Sequence, residues 1–263
     1  MSGQTTDEIR RRLLHRLSQL NLGGELFDEL IGQMMLVSYA AGTTIFHQGS
    51  SAELLLWLVK GVAKVYCPFE DASGRVLTRL AGPGDLLGQI NSLNGNGHRQ
   101  LFEAQAASKC EVAVLGRECA LRVLQKLEKT QLLTLLDSLH LVWSEALFWY
   151  VRLLGLGFRH RLEAVLSDLA LRFGVREKRG VLIIPELSQL DLAEMIGSSR
   201  PMITRLLKEM SESGELARHG KQLIITPEVA WLNARTPVSA TDPRRHLNGD
   251  ASYHQPIIAN HAA

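Results

Sequence analysis

At 263 residues with 46% hydrophobic content, the chain is long enough for two domains with real cores. A net charge of +2 carries no composition-level signal for nucleic acid, so any such role rests on where the basic residues lie. The 3 cysteines, Cys67, Cys110 and Cys119, include no C-x-x-C pair, which argues against a disulfide framework or zinc site and for a reducing compartment.

Apolar residues at helical spacing, Leu13, Leu14, Leu17 and Leu20 and then Leu26, Phe27, Leu30 and Ile31, predict two helices within 7–34 around a break at 21–24. The polar, arginine-bearing N-terminus does not read as a secretory leader. The most apolar long window, 141–158, is interrupted by Ser144, Glu145 and Arg152, so a membrane span is not expected and the cytoplasm is. From 35 to 115 the pattern changes to short β-rich runs at 43–47, 54–60, 62–67, 76–80, 101–106 and 111–115. Gly42, Gly49, Gly61, Gly74, Gly82, Gly84 and Gly88 fall between them or at their ends, which predicts a small antiparallel barrel or roll.

A short helix over 118–127 and a long one over 130–154 follow. In the long helix Leu132, Leu136, Leu139, Trp143, Ala146, Tyr150 and Leu153 recur at alternating spacings of four and three, with Leu135, Val142 and Trp149 beside them. The stripe is wider than one roll can cover. It predicts a homodimer interface at Leu132, Leu136, Leu139, Trp143, Ala146 and Tyr150. The aromatics Trp143, Phe148, Trp149 and Tyr150 read as packing rather than as a ligand cage. Gly155 and Gly157 then break the helix as a hinge before a helix over 161–173 and a strand over 181–184.

Residues 185–210 predict two short helices around a tight turn. Ser188 caps the first, with Asp191 placed as in a capping box, and Gly197 closes it. Ser198 or Ser199 caps the second, with Pro201 in its first turn. Ile203, Leu206, Leu207 and Met210 bury one side and leave Arg200, Thr204, Arg205 and Lys208 outside. Residues 216–226 add two short strands around His219-Gly220, the wing of a winged helix. A basic, polar face on the second helix has the form that enters a DNA major groove.

At this point the chain resembles the cyclic-AMP receptor protein and FNR family of bacterial transcription regulators. In the DNA-binding end the resemblance is carried by Ile196-Gly197, Ser199-Arg200, Arg205 and the hairpin. In the roll it is carried by Ala41-Gly42-Thr43-Thr44-Ile45-Phe46-His47-Gln48-Gly49, by Leu58-Val59-Lys60-Gly61-Val62-Ala63-Lys64-Val65 and above all by Gly82-Pro83-Gly84-Asp85-Leu86-Leu87-Gly88. His47 fits the family's turn pattern without any ligand. The resemblance implies an α+β architecture: a cyclic-nucleotide-binding-like β-roll sensor with N-terminal helices over 1–127, a dimerisation helix over 128–155 and a winged helix-turn-helix over 156–235. The tail over 236–263, rich in proline and without periodicity, is expected to be disordered.

The function implied is that of a homodimeric, sequence-specific DNA-binding transcription regulator controlled by an effector in the roll. Its partners would be double-stranded DNA, a second copy, RNA polymerase and a small-molecule effector, for which a nucleotide is one candidate; the cofactor is left unknown. A heme or redox sensor of the same family and a nucleotide-binding module acting through protein contacts are the alternatives. No nucleophile, acid–base or metal constellation of an enzyme can be assembled from the motifs, so neither catalysis nor a metal site is expected.

The family reads bases with two arginines and an intervening glutamate, and the matching positions are Arg200, Pro201 and Arg205. Thr204 and Lys208 share that face, and Arg218 and Lys221 make the wing basic. Ser188, Gln189 and Ser199 match phosphate contacts, which set register and not sequence. Pro201 departs from the pattern because it cannot accept from cytosine N4. In the sensor, the family's ribose-gripping Gly-Glu pair is Gly88-Gln89 here. Its phosphate-holding Arg-Ser or Arg-Thr pair falls at His98-Arg99-Gln100, with Gln100 in place in a gapless register and Arg99 in one shifted by a residue. Uncharged Gln89 and a displaced or absent arginine imply that the usual response to cyclic AMP is lost.

Overall fold

The computed structural model describes residues 24–69, 74–88, 99–226, 229 and 232. The helix expected before residue 21, Gln89, the loop 91–98 and the tail 236–263 lie outside them. Short glycine-punctuated runs make two four-stranded antiparallel sheets. One has the order β1-β8-β3-β6, from β1 (Met35–Tyr39), β3 (Leu54–Lys60), β6 (Leu86–Leu87) and β8 (Cys110–Gly116). The other has the order β2-β7-β4-β5, from β2 (Thr44–Phe46), β4 (Ala63–Pro68), β5 (Arg75–Ala81) and β7 (Glu103–Ala106).

The nearly unbroken apolar run of β3 follows from its burial on both faces. Leu56 and Leu58 join Val112 and Val114 of β8 inside the roll. The alternate residues Leu55, Trp57 and Val59 pack with Ala113 and Leu115 against two helices, α1 (Gly24–Gly32) and α2 (Arg117–Leu124). Strands β1 and β6 are not among the runs expected from the sequence. β1 hides because its exposed positions include apolar Met35 and Val37, which blurs the period-2 signal.

The long helix α3 (Lys129–Leu154) runs 26 residues, about 39 Å at 1.5 Å per residue. Most of its apolar side chains face solvent, Trp143 at 70% and Leu154 at 73% exposure. Tyr150 is turned toward its own roll, where its hydroxyl donates to the Thr78 carbonyl at 3.1 Å. The helix stops at Gly155, and Gly157 precedes α4 (Phe158–Phe173). Both glycines have ordinary negative φ, −74° and −69°, so this break does not draw on glycine's special backbone freedom. Arg161 ties it instead, donating to the carbonyls of Leu154, Leu156 and Ile196.

The C-terminal part adds α5 (Gln189–Ile196), α6 (Arg200–Glu212) and a sheet of order β11-β12-β10-β9, from β9 (Gly174–Glu177), β10 (Gly180–Ile183), β11 (Leu216–His219) and β12 (Gln222–Ile225). Strand β9 is a further addition to the sequence reading, a short charged edge. One apolar core joins this part to the roll: Tyr66, Leu77 and Leu80 of the second sheet pack in a single cluster with Leu153, Leu162, Leu192, Ile203 and Leu207.

Candidate DNA-recognition surface and effector cassette

Local signals agree on the α5/α6 pair. Ser188 N-caps α5, its hydroxyl accepting from the Asp191 N–H at 3.0 Å, while the Asp191 carboxylate accepts from the Ser188 N–H at 2.8 Å. Gly197 ends the helix in the left-handed region at φ 64°. Of the two serines that follow, Ser199 caps α6, accepting from the Met202 N–H at 3.4 Å. Ile203, Leu206, Leu207 and Met210 are buried, which leaves Arg200, Pro201, Thr204, Arg205 and Lys208 exposed along one face. The wing turns at Gly220 between paired His219 and Gln222, with Arg218 and Lys221 exposed on either side.

These side chains differ in availability. Arg205 is drawn along the helix, one guanidinium nitrogen 3.1 Å from Met202 Sδ and Nε 3.6 Å from the Glu209 carboxylate. Lys208 lies 3.7 Å from Glu212, and Lys221 lies 3.6 Å from Glu186. All three ion pairs are exposed and contribute about 0–1 kcal/mol each, so a phosphate or a guanine edge displaces them at little cost. Ser188 differs because its hydroxyl proton is committed to Asp191 Oδ2 at 2.8 Å. Gln189 is half-buried, and its Oε1 accepts from the Thr204 hydroxyl at 2.8 Å.

In the roll, Gly88 follows β6 with φ 76°, and the buried amide of Gln100 lies against it. The positive φ favours glycine here, and a Cβ would come within 2.9 Å of Gln100 Oε1, so that amide would have to shift. Arg99 is turned away. Its guanidinium donates to the Gly49 carbonyl at 2.7 Å on the exposed rim, and its backbone bridges Ser51. Gly88 and Gln100 are therefore together and Arg99 is apart. On the same rim, Nδ1 of His47 lies 3.1 Å from Glu103.

A cleft of about 590 Å³ separates the roll from the winged helix, lined by Lys64, Tyr66 and Arg75 on one side and Gln189, Arg218 and Lys221 on the other. Lys64 and Asp191 also line it and form an ion pair at 2.7 Å, their side chains 17% and 9% exposed. Burial pushes the Asp191 carboxyl up, but the Lys64 ammonium and the Ser188 N–H and hydroxyl together hold it below the usual carboxylate range. Nearby Glu194 has a buried carboxylate oxygen without a hydrogen bond, and burial pushes its carboxyl up.

A second bridge joins Arg172 of α4 to Asp85 of the Gly-Pro-Gly-Asp turn at 2.8 Å, with Asp168 at 3.7 Å from the same guanidinium. Burial pushes the Asp168 carboxyl up against the pull of Arg172. From the sequence, Lys64 was read only within the roll's motif, Arg161 and Arg172 only as helix residues, and Asp191 as a cap alone. Single cations in strands and helices carry no spacing signal for partners this remote.

Residues 36–127 match the family of the cyclic nucleotide-binding domain and residues 160–235 that of the Crp-like helix-turn-helix domain. The chain is 29% identical over 201 residues to the global nitrogen regulator of Synechococcus elongatus, covering 75% of this chain and 88% of that one. It is 26% identical over 188 residues to the cAMP-activated global transcriptional regulator CRP of Pasteurella multocida, covering 71% and 88%. In fold it is similar to the c-di-GMP responsive global regulator CLP of Xanthomonas campestris, with a TM-score of 0.64 at 20% identity over 78% of this chain and 99% of that one. Among the described residues no helix is long and apolar enough to cross a membrane.

Proposed function

The chain belongs to the CRP/FNR family of transcription regulators, not to the enzymes, and from that premise we propose that it works as a homodimer that reads a two-fold DNA site under the control of an effector in the roll. The observation that carries the reading is the face of α6. Four apolar residues seat the helix, and Arg200, Thr204, Arg205 and Lys208 stand exposed on the opposite side, flanked by a basic wing. Phosphate contacts from the wing and base contacts from the two arginines divide the work of affinity and sequence choice.

The exposed apolar row of α3 supports the two-fold assembly. Leu132, Leu133, Leu136, Leu139, Trp143 and Leu147 are each more than two-fifths exposed on one helix, more apolar surface than a monomer leaves in water. A pair of such chains sets two recognition helices about 34 Å apart, one turn of DNA. We place the regulator in the cytoplasm, where the DNA is, with RNA polymerase as the protein partner through which it acts.

The effector differs from cyclic AMP in this reading. Uncharged Gln100 occupies the position beside Gly88, and Arg99 is bound to the rim. Mass spectrometry of the native protein identifies what it carries. Enrichment of a palindromic site from a random duplex library, with binding that falls steeply between two salt concentrations, tests the DNA reading. Binding to all duplexes alike would defeat it.

A further inference from the structure

The exposed face of α6 has two guanidinium forks with something unlike either between them. Pro201 is exposed in the first turn and presents only C–H groups of its ring. Thr204 is exposed as well, but its hydroxyl sits 2.8 Å from Gln189 Oε1 and 3.0 Å from the Arg200 carbonyl, so its proton is committed inside the protein. Thr204 adds a methyl carbon to this exposed stretch. Met202 Sδ, the next heteroatom along, is taken up by Arg205 at 3.1 Å. From Pro201 to Thr204 the face therefore offers ring and methyl carbon and no free hydroxyl proton, and its acceptors are the lone pairs left on Thr204 Oγ1.

In the major groove the four base edges present different hydrogen-bonding groups, and one of them adds a methyl. It is the 5-methyl of thymine. A carbon surface gains nothing from cytosine N4, adenine N6 or guanine O6, which keep their water, whereas it gains the burial of a methyl when thymine faces it. We propose that Pro201 and Thr204 determine specificity for thymine, packing its 5-methyl at a base pair next to one read by an arginine. The proposal rests on α6 being the helix in the groove, and it adds the identity of one base. Two flanking arginines alone define guanines; the carbon patch between them turns a tolerated position into a preferred one. One buried methyl corresponds to about fourfold in affinity.

The test uses the full native chain and the half-site it selects from a random duplex library. Each thymine of that half-site is replaced in turn by uracil, which removes the 5-methyl and leaves every hydrogen-bonding group. At one thymine beside a guanine, uracil should weaken binding about fourfold, and the loss should vanish in Pro201→Gly. Selection with Pro201→Glu, which restores an acceptor, should move the preference at that pair from thymine to cytosine. A selected half-site indifferent to uracil at every thymine overturns the proposal and leaves DNA recognition standing, and so does a uracil loss that persists in Pro201→Gly. Failure to enrich any site removes the premise, and the proposal falls with it.

Discussion

Replacing Lys64 by methionine isolates the ion pair that pins α5 to the roll. Lys64 Nζ lies 2.7 Å from Asp191 Oδ1, with both side chains largely out of water. Breaking a fully buried pair costs about 3–5 kcal/mol because one charge is left unpaired. Here the cost is smaller, since Asp191 Oδ2 keeps the Ser188 N–H and hydroxyl at 2.8 Å each and the adjoining cleft admits water to Oδ1. What is lost is one charge-assisted hydrogen bond, about 1.5–3 kcal/mol. Methionine fills the stem's volume, so no cavity is added to that figure.

The sign of the pH dependence follows from Asp191. Its folded carboxyl is held below the unfolded value of 3.8, so its contribution is complete above that value and is lost as pH falls through the depressed folded one. Urea unfolding should therefore show Lys64→Met destabilised by about 2 kcal/mol and evenly so from pH 5 to 8, with the gap narrowing below about pH 4. The gap should also survive high salt, because a buried pair is poorly screened. A variant as stable as its parent at pH 7 would refute the reasoning, as would a gap that closes on adding salt.

Arg205→Ala should weaken specific binding by about 1–3 kcal/mol and relax preference at one base pair, whereas Lys221→Ala should lower affinity for all sequences and reduce the salt slope; an unchanged selected motif for Arg205→Ala would show that it does not read a base. Leu139→Glu with Ala146→Glu, both exposed on α3, should yield monomers that lose specific DNA binding, checked by sedimentation against the parent at micromolar concentration. Calorimetry against a panel of cyclic nucleotides should show cyclic AMP bound on the order of a hundredfold more weakly than a micromolar ligand, since several kcal/mol of charged contacts are absent; micromolar binding with a matching gain in DNA affinity would contradict this.

What was legible in the sequence is what local chemistry decides alone. Ser188, Asp191 and Gly197 bracket α5 as their types require, and Ile203, Leu206, Leu207 and Met210 bury the side of α6 that their spacing marks. The cassette glycine and its neighbour were legible by resemblance, but the sequence left two registers open at Arg99 and Gln100. What sequence spacing does not carry is that the bridge from Arg99 to Ser51 turns one side chain to the rim and the next inward.

The contacts between roll and winged helix were not legible, for a reason that period and propensity cannot overcome. Lys64 and Asp191 stand 127 residues apart and Asp85 and Arg172 stand 87 apart, so neither pair leaves a mark at helical or strand spacing. Each residue already had a sufficient local explanation: Asp191 as the capping acid, Asp85 as a turn residue whose carboxylate accepts from the Gly82 N–H at 2.8 Å. The structure gives both a second partner without removing the first. Tyr66, Leu77 and Leu80 behave the same way, as strand residues whose outer faces pack with α5 and α6 in one core. A residue that satisfies one element locally and a second at long range ties the geometry of the two together. The turn 82–85, which leads into Gly88, is thereby fixed to α4 through Asp85 and Arg172, and the N-terminus of α5 is fixed to β4 through Asp191 and Lys64.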